Sequence, residues 1–403
     1  MLTLKSNLPT YKLNNAYVLL RTDWNVAHSS TGTILDDFKL LASLETITYI
    51  TQQQGHVIVL THCGRPTKPI TDLSTAIFVN WFVQRGFSTV FAATLEEAHA
   101  LKNNNYQIII IENMRFFKEE ISCDKAFAQQ CAALGDYYVQ DAFGVCHRKS
   151  SSITILPTFF TPSNRTIGFL VEKELSTLNT FINHPEKPYT ILQGGIKGET
   201  KIPLLMQLLD QIDVILLATP LCFTFLKALG KEIGQSAYEP ACIQQAKQLL
   251  DSAKEKNITI VFPLDYQVTK NNFTRPYPLT ETDTIKNDEV GISIGPKTTE
   301  LFKSYIQQSK TVFMNGLPGN CAYQETLEGS RILLQAVKRV PHYLIGGGDS
   351  LAIVKALHLT NPPSKHYATN HTFIDHLPHN LSTGGGATLA YLSNQPLIGL
   401  SFF

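Results

Sequence analysis

The chain has 403 residues, more than one hydrophobic core usually serves, so two domains are expected. An apolar content of 43% with 17% charged residues describes an ordinary globular protein, and a formal net charge of +1 leaves no global basic field for nucleic acid or an anionic membrane. The 7 cysteines show no CxxC or paired Cys/His spacing, which argues against structural zinc and a disulfide framework.

At the start, MLTLKSNLPTYKL lacks the long apolar core and small-residue cleavage site of a signal peptide. No later run reaches spanning length, so a reducing, cytoplasmic setting is expected. The first strand candidate, YVLLR, lies in the stretch NAYVLLRTDWNVA. Its apolar run Val18-Leu19-Leu20 ends in Arg21, Asp23 and Asn25 at every second position, and the period of an extended chain puts those side chains on one face. The window LLASLETITYITQQ predicts a helix. Next, HVIVL runs into Thr61, His62, Cys63, Gly64, Arg65 and Pro66, and QIIII runs into Glu112, Asn113, Met114 and Arg115. After the helix-like KAFAQQCAALG, the strand DYYVQ runs into Asp141 and Gly144, then His147 and Arg148.

Residues 169–188, FLVEKELSTLNTFINHPEKP, predict a helix that stops at polar, proline-containing residues. Strands resume with YTILQGG, DVILLATP, ITIVFPLD, TVFMNG and HYLIGGG, with the helix TELFKSYIQQSK among them. Strands that are apolar throughout and alternate with helices imply parallel sheets covered on both faces. The expected fold class is therefore α/β, with two Rossmann-like, parallel-sheet α/β/α domains joined by a helix. The N-terminal domain takes 1–168, the joining helix 169–188 and the C-terminal domain 189–389.

Ligands of open parallel sheets bind beyond the carboxyl ends of the strands. In the first domain Arg21, Arg65, Arg115 and Arg148, with His62 and His147, fall at such ends. Taken singly, each arginine reads as solvated or tied to a nearby carboxylate. Gathered at one sheet edge, they repel one another unless an anion neutralises them, and the guanidinium fork matches phosphate and carboxylate oxygens. In the second domain the strand ends run into glycine: Gly194-Gly195 before Lys197 and Lys201, Asn315-Gly316, Gly346-Gly347-Gly348 before Asp349 and Ser350, and Gly384-Gly385-Gly386 before ATLAYL. A single glycine turn reads as packing. Several of them with two lysines favour a nucleotide phosphate site, where backbone N–H groups approach the ligand and Asp349 suits a magnesium-bound phosphate. The GxxxxGK[ST] loop is absent. An arginine pocket, a phosphate cradle and a helix between them point to phosphoryl transfer across a cleft, which needs positioning and charge neutralisation more than acid–base groups.

The segments VLLRTDWNV, THCGRP, ENMRFFKEE, DAFGVCHR, GFLVEKEL, GGIKGETKIPLL, FTFLKALG, NGLPGN, IGGGDS and STGGGATL, in that order, resemble the phosphoglycerate kinase family over nearly the whole chain. The resemblance implies a bilobal, hinge-bending kinase of glycolysis that moves a phosphoryl group between 1,3-bisphosphoglycerate with ADP and 3-phosphoglycerate with ATP. It implies Mg2+ travelling with the nucleotide, small-molecule partners only, no nucleic acid and no membrane. It also implies a monomer whose tail, 390–403, packs back on the first domain. By the same likeness Arg21, Asp23, Asn25, His62 and Arg65 are glycerate contacts, and Arg115 and Arg148, with His147 beside them, grip the far phosphate. Nucleotide contacts fall to Gly194, Gly195, Lys197, Lys201, Asn315, Ala322, Gly347, Gly348, Asp349 and Ser350, with Asp349 the link to magnesium. Catalytic roles fall to Lys39, Lys197, Gly384 and Gly385.

Four departures from the family pattern stand out. Lys39 replaces a catalytic arginine, keeping the charge but losing the planar fork. Ala322 replaces a glutamate at the nucleotide ribose, Ala218-Thr219-Pro220 replaces a glycine triplet beside the purine, and Leu317-Pro318 displaces the usual proline by one position. Three of the four touch the nucleoside, so altered nucleotide preference is expected. The alternative is a catalytically weak or inactive ligand-binding protein of the same family, for which Lys39 is the main argument. An unrelated two-domain binding protein would make the ordered motifs a coincidence. Plain structural readings are preferred for Cys63 and Cys146 as packing residues, for Trp24 and Trp81 as core or domain-face aromatics, and for His366, His371, His376 and His379 as loop histidines rather than metal ligands.

Overall fold

The computed structural model describes residues 4–29, 31–66, 68–183, 185–270, 273, 275–357 and 380–403. His366, His371, His376 and His379 lie outside the described residues. Strands form where the chain is apolar on both faces. In Ile108–Ile111 all four side chains are buried, and each such burial contributes about 1.5–3 kcal/mol. Sheets loaded in this way need cover on both sides, which the intervening helices supply.

The described chain divides into two compact units, residues 4–176 with 396–403 and residues 177–357 with 380–395. The first unit holds β1 (Tyr17–Arg21), α1 (Phe38–Gln52), β2 (His56–Leu60), α2 (Ile77–Val83), β3 (Thr89–Ala92), α3 (Leu95–Leu101) and β4 (Ile108–Ile111). It continues through α4 (Lys118–Ser122), α5 (Lys125–Ala132), β5 (Tyr137–Gln140), β6 (Arg165–Ile167) and the start of α6 (Phe169–Asn183). Its strands run parallel in the order β3-β4-β2-β1-β5-β6. Alternate residues of one strand enter different cores. Val18 and Leu20 pack with Trp24, Ile47 and Ile50 on one face, whereas Leu19 packs with Phe127 and Cys131 on the other. Trp24 is fully buried, its indole N–H donating to Ser43 Oγ at 2.8 Å. Trp81 is nearly so and lies under the Arg85 guanidinium. The last residues belong to this unit: Gly399 N–H donates to the Cys146 carbonyl at 2.8 Å, and Arg165 Nε donates to the Phe402 carbonyl at 2.9 Å.

The second unit holds β7 (Tyr189–Gln193), α7 (Gly198–Leu208), β8 (Val214–Leu217), α8 (Leu221–Ala228), α9 (Ile243–Glu255), β9 (Thr259–Val261), β10 (Tyr266–Lys270) and β11 (Glu289–Ile294). It ends with α10 (Pro296–Gln308), β12 (Thr311–Asn315), α11 (Glu328–Val337), β13 (His342–Gly346), α12 (Gly348–Ala356) and α13 (Gly386–Leu392). Five strands run parallel in the order β13-β12-β7-β8-β9, and β10 and β11 form a separate antiparallel pair. The expected α/β class with two parallel sheets is the observed one. Among the described residues no helix is long and apolar enough to cross a membrane.

Candidate functional site

Register brings the polar segments of the first sheet to one edge. Arg21 pairs with Leu60 of β2 and with Gln140 of β5, and Val59 pairs with Ile110 of β4. The segments that begin at Thr22, Thr61, Glu112 and Asp141 therefore leave the sheet side by side. They are laced together. Asn25 Oδ1 accepts the Gly64 N–H at 2.8 Å, Asn113 Nδ2 donates to the Cys63 carbonyl at 2.8 Å, and the Arg115 guanidinium donates to the Gly64 carbonyl.

Asp23 lies between two basic side chains. Lys39 Nζ, from the first turn of α1, donates to its Oδ2 at 2.7 Å, and His62 Nε2 lies 3.6 Å from Oδ1. Burial alone would raise the Asp23 carboxyl, but Lys39, His62 and the Asn25 N–H outweigh it and hold the carboxyl well below its ordinary value. His62 is buried and held well below the ordinary imidazole value, by desolvation and by the charges of Arg21, Arg115 and Lys39 against the opposing pull of Asp23. Its Nδ1 has no hydrogen-bond partner among the described residues.

The arginines form the second half of this edge. Desolvation, then the charges of Arg148, Arg21 and Arg65, pull Arg115 down to about 10. Arg148 is lowered by burial and by Arg65. Like charges act on one another in this way only when the guanidinium groups share one region. His147, pulled down to about 4 by burial and Arg148, accepts from Arg148 Nε at 3.2 Å through Nε2. Arg65 and Asn25 are exposed.

Arg21 has a different place. It is 3% exposed, its Nε donates to Ser152 Oγ at 2.7 Å, its Nη1 donates to the Thr22 and Leu60 carbonyls, and Nη2 lies 3.8 Å from Glu120. Its charge reaches His62 and Arg115 while its donors are spent inside the fold. The expected face of Arg21, Asp23 and Asn25 breaks because β1 ends at Arg21 and the next residues leave the extended strand. Ser152 and Glu120 carry no sequence signal, since their partner is distant in the chain. Cys63 and Cys146 are buried thiols. Burial, with the nearby carboxylates, pushes Cys63 up to about 12 and raises Cys146 further, so both serve as packing groups.

In the second unit β7, β12 and β13 end together. The Gly194 N–H donates to the Asn315 carbonyl at 3.0 Å and the Gly195 N–H to the Thr219 carbonyl at 3.1 Å. The Lys201 ammonium, 7% exposed, donates to the Gly194 carbonyl. A Cβ on Gly194 would collide with the Gly316 carbonyl, so the two loops approach as closely as they do only with glycine there. Ser350 Oγ accepts the N–H groups of Gly316 at 2.8 Å and Leu317 at 3.3 Å, and the buried Asn315 side chain donates to Gln193 at 3.3 Å. Both residues hold loops in place. Beyond them α12 starts at Gly348, where among the described residues nothing lies within 4 Å of a Cβ position, a cradle suited to phosphate oxygens. Bonds between Ile345 and the segment Asn380–Ser382 bring the Gly384-Gly385-Gly386 turn to the same edge. Lys197 is exposed at the N-terminal cap of α7. Ala322 is an exposed methyl whose N–H is taken by Asn320 Oδ1 at 2.9 Å. The side chain of Asp349 lies outside the described residues.

A family model described as phosphoglycerate kinase matches residues 8–395. The chain belongs to the phosphoglycerate kinase family. It is 32% identical to the phosphoglycerate kinase of Prochlorococcus marinus, across 98% of this chain and 97% of that one. It is 34% identical to the phosphoglycerate kinase of Chlamydia pneumoniae, across 95% and 94%. Among solved structures, phosphoglycerate kinase from Coxiella burnetii superposes with a TM-score of 0.77 at 27% identity, covering 99% of this chain and 98% of that one. The enzyme from Pyrococcus horikoshii gives 0.82 at 23% identity and speaks for the fold alone. Membership makes the chain a kinase, a transferase of glycolysis. No observation favours the alternative of an inactive binding protein.

Proposed function

We propose that the chain catalyses reversible phosphoryl transfer between 1,3-bisphosphoglycerate with ADP and 3-phosphoglycerate with ATP, with the glycerate held by the first unit and the nucleotide by the second. The observation that carries this reading is the gathering of Arg115 and Arg148 with Arg65 at the end of the first sheet, where the charges of Arg148 and Arg65 bear on Arg115 and that of Arg65 on Arg148. A phosphate between them would relieve that repulsion, while Asn25, His62 and the Asp23–Lys39 pair meet the acid end. Lys197 and Lys201 are assigned to the nucleotide phosphates, with Gly194, Gly195, Gly347 and Gly348 admitting them closely. Gly384 and Gly385 are assigned to the start of α13, beside the transferring group. The domains are assigned as 1–168 and 189–389 with α6 between them, in a cytoplasmic monomer.

Among the described residues no group of three His, Cys, Asp or Glu side chains could hold a cation alone. Magnesium is assigned to the nucleotide it would travel with, and Asp349 is assigned as the protein's contribution. Bound in that way it supplies positive charge to the phosphates. At the nucleoside, Ala322 offers no acceptor, and Thr219 and Pro220 fill the place of glycine. Weakened base and ribose selectivity is the expected consequence.

Turnover with 3-phosphoglycerate, magnesium and a panel of nucleoside triphosphates tests both parts. Phosphorylation of the glycerate is expected with ATP and, at comparable kcat/KM, with GTP. Absence of turnover with every nucleotide would sink the kinase assignment, and strict adenine preference would sink the altered pocket.

A further inference from the structure

The amino end of α7 already holds an anion, and it is a side chain of the protein itself. Glu239, in the loop after α8, presents its carboxylate to the first turn of α7. Oε1 accepts the Lys197 N–H at 2.6 Å, and Oε2 accepts the Glu199 N–H at 3.3 Å. The Gly198 backbone N–H joins them. These are donors that no intrahelical carbonyl can satisfy, and a carboxylate is the group their partial charge favours. The loop is pinned in turn: Glu239 N–H donates to Thr224 Oγ1 of α8 at 3.1 Å, and the buried Cys242 thiol donates to Oε2 at 3.3 Å. A Cβ at position 198 would lie 3.1 Å from Oε2 and 3.3 Å from Cys242 Sγ, tight for both, so the carboxylate's approach selects Gly198.

What this clamp holds is the backbone of Lys197. That residue caps α7 with φ +79° and ψ +54°, a left-handed conformation that a lysine adopts only under constraint. The direction in which its side chain leaves the helix follows from that conformation. Released from Glu239, the residue would relax toward negative φ, and the direction in which its side chain leaves the helix would change.

We propose that Glu239 is a positioning residue for the phosphoryl-transfer reaction, holding Lys197 in the left-handed conformation that aims its ammonium at the transferred phosphate. The inference rests on the assignment of Lys197 to that phosphate. It also gives the α7 terminus a task of its own: that terminus is closed by a carboxylate of the chain, whereas the start of α12 is the end assigned to the nucleotide phosphates.

The test is a double-mutant cycle on the full chain with Glu239→Gln and Lys197→Met. Glutamine keeps the shape but brings an amide N–H against a backbone N–H. E239Q should lower kcat about tenfold or more, with the KM for 3-phosphoglycerate unchanged within about twofold. In the Lys197→Met background the same change should alter kcat by less than about twofold, because the group it positions is gone. Equal losses in both backgrounds would overturn the inference, as would an E239Q enzyme with native kcat. An E239Q chain that circular dichroism finds unfolded at assay temperature would overturn it too, since the carboxylate would then be holding the fold and not the lysine. Native turnover in Lys197→Met would instead overturn the assignment of Lys197 itself, and this inference with it.

Discussion

Lys39 meets Asp23 with a single ammonium donor at 2.7 Å, so it fixes one carboxylate oxygen and offers a compact charge to whatever lies beyond. An arginine there would offer a fork, able to hold Asp23 with one arm and a ligand oxygen with the other. Two substitutions separate charge from shape. Lys39→Met should lower kcat by about 10²–10³, the usual loss for one group that neutralises transition-state charge. It should also move the acid limb of the pH–rate profile upward. The low pKa of Asp23 is maintained against burial chiefly by Lys39, and without it the carboxyl protonates at a higher pH. Lys39→Arg should match or exceed the native kcat. A Lys39→Met enzyme within threefold of native, by steady-state assay, would show that the charge is not used. Charged groups at strand ends are legible in a sequence because strand direction and parallel order put them at one edge, and Asp23, His62, Arg65, Arg115 and Arg148 were readable for that reason. Arg21 was readable as a charge but not as a buried one. Its partners Ser152 and Glu120 lie 131 and 99 residues away, and no local pattern records such a pairing.

At the scale of elements, α6 begins on a buried carboxyl. Asp141 follows β5, is fully buried, and its Oδ1 accepts the Val171 N–H at 3.2 Å, within the first turn of the helix. Thr46 of α1 stands beside it and also accepts the Phe169 N–H at 3.1 Å. Burial, the largest influence, pushes Asp141 up to about 7, against the opposing hydrogen bonds of Thr46 and the helix N–H groups and with a small push from Glu45. A carboxyl whose folded pKa exceeds its unfolded value binds more protons when folded. Between the ordinary carboxylate value and about 7, stability must therefore fall as pH rises. One proton sets a ceiling of about 1.4 kcal/mol per pH unit. Asp141→Asn, which keeps an oxygen for the helix, should flatten that slope, as measured by urea unfolding at pH 5 and pH 8. An unchanged slope would mean that Asp141 stays ionised in the fold. The same scale shows where reading elements from sequence stops. Runs such as Ile108–Ile111 announce themselves because both faces are buried. β3 is half-exposed along most of its length, β6 has three residues, and β10 and β11 mix polar and apolar positions, so none of them carries the continuous apolar signal of a central strand.

For the molecule as a whole, a net charge of +1 conceals the concentration of cations at one sheet edge. Each unit has its own core, and each proposed ligand is assigned to the edge of a single sheet. Binding free energy should then enter one unit at a time, by linkage to that unit's local opening reactions. Hydrogen exchange read by mass spectrometry resolves this. With 3-phosphoglycerate alone, amides in 22–25, 61–66 and 113–115 should gain protection, and those in 194–201, 315–319 and 347–350 should keep their rates. With nucleotide and magnesium alone, the pattern should reverse. Saturation at a hundred times Kd corresponds to about 2.7 kcal/mol, enough to slow exchange through ligand-coupled openings about a hundredfold. Arg115→Ala should abolish the first pattern and leave the second intact, because its guanidinium serves the Gly64 loop and the cation cluster of the first unit only. Protection that spreads through both sheets with either ligand alone would show that the units open as one body, and the assignment of one substrate to each would lose its physical basis.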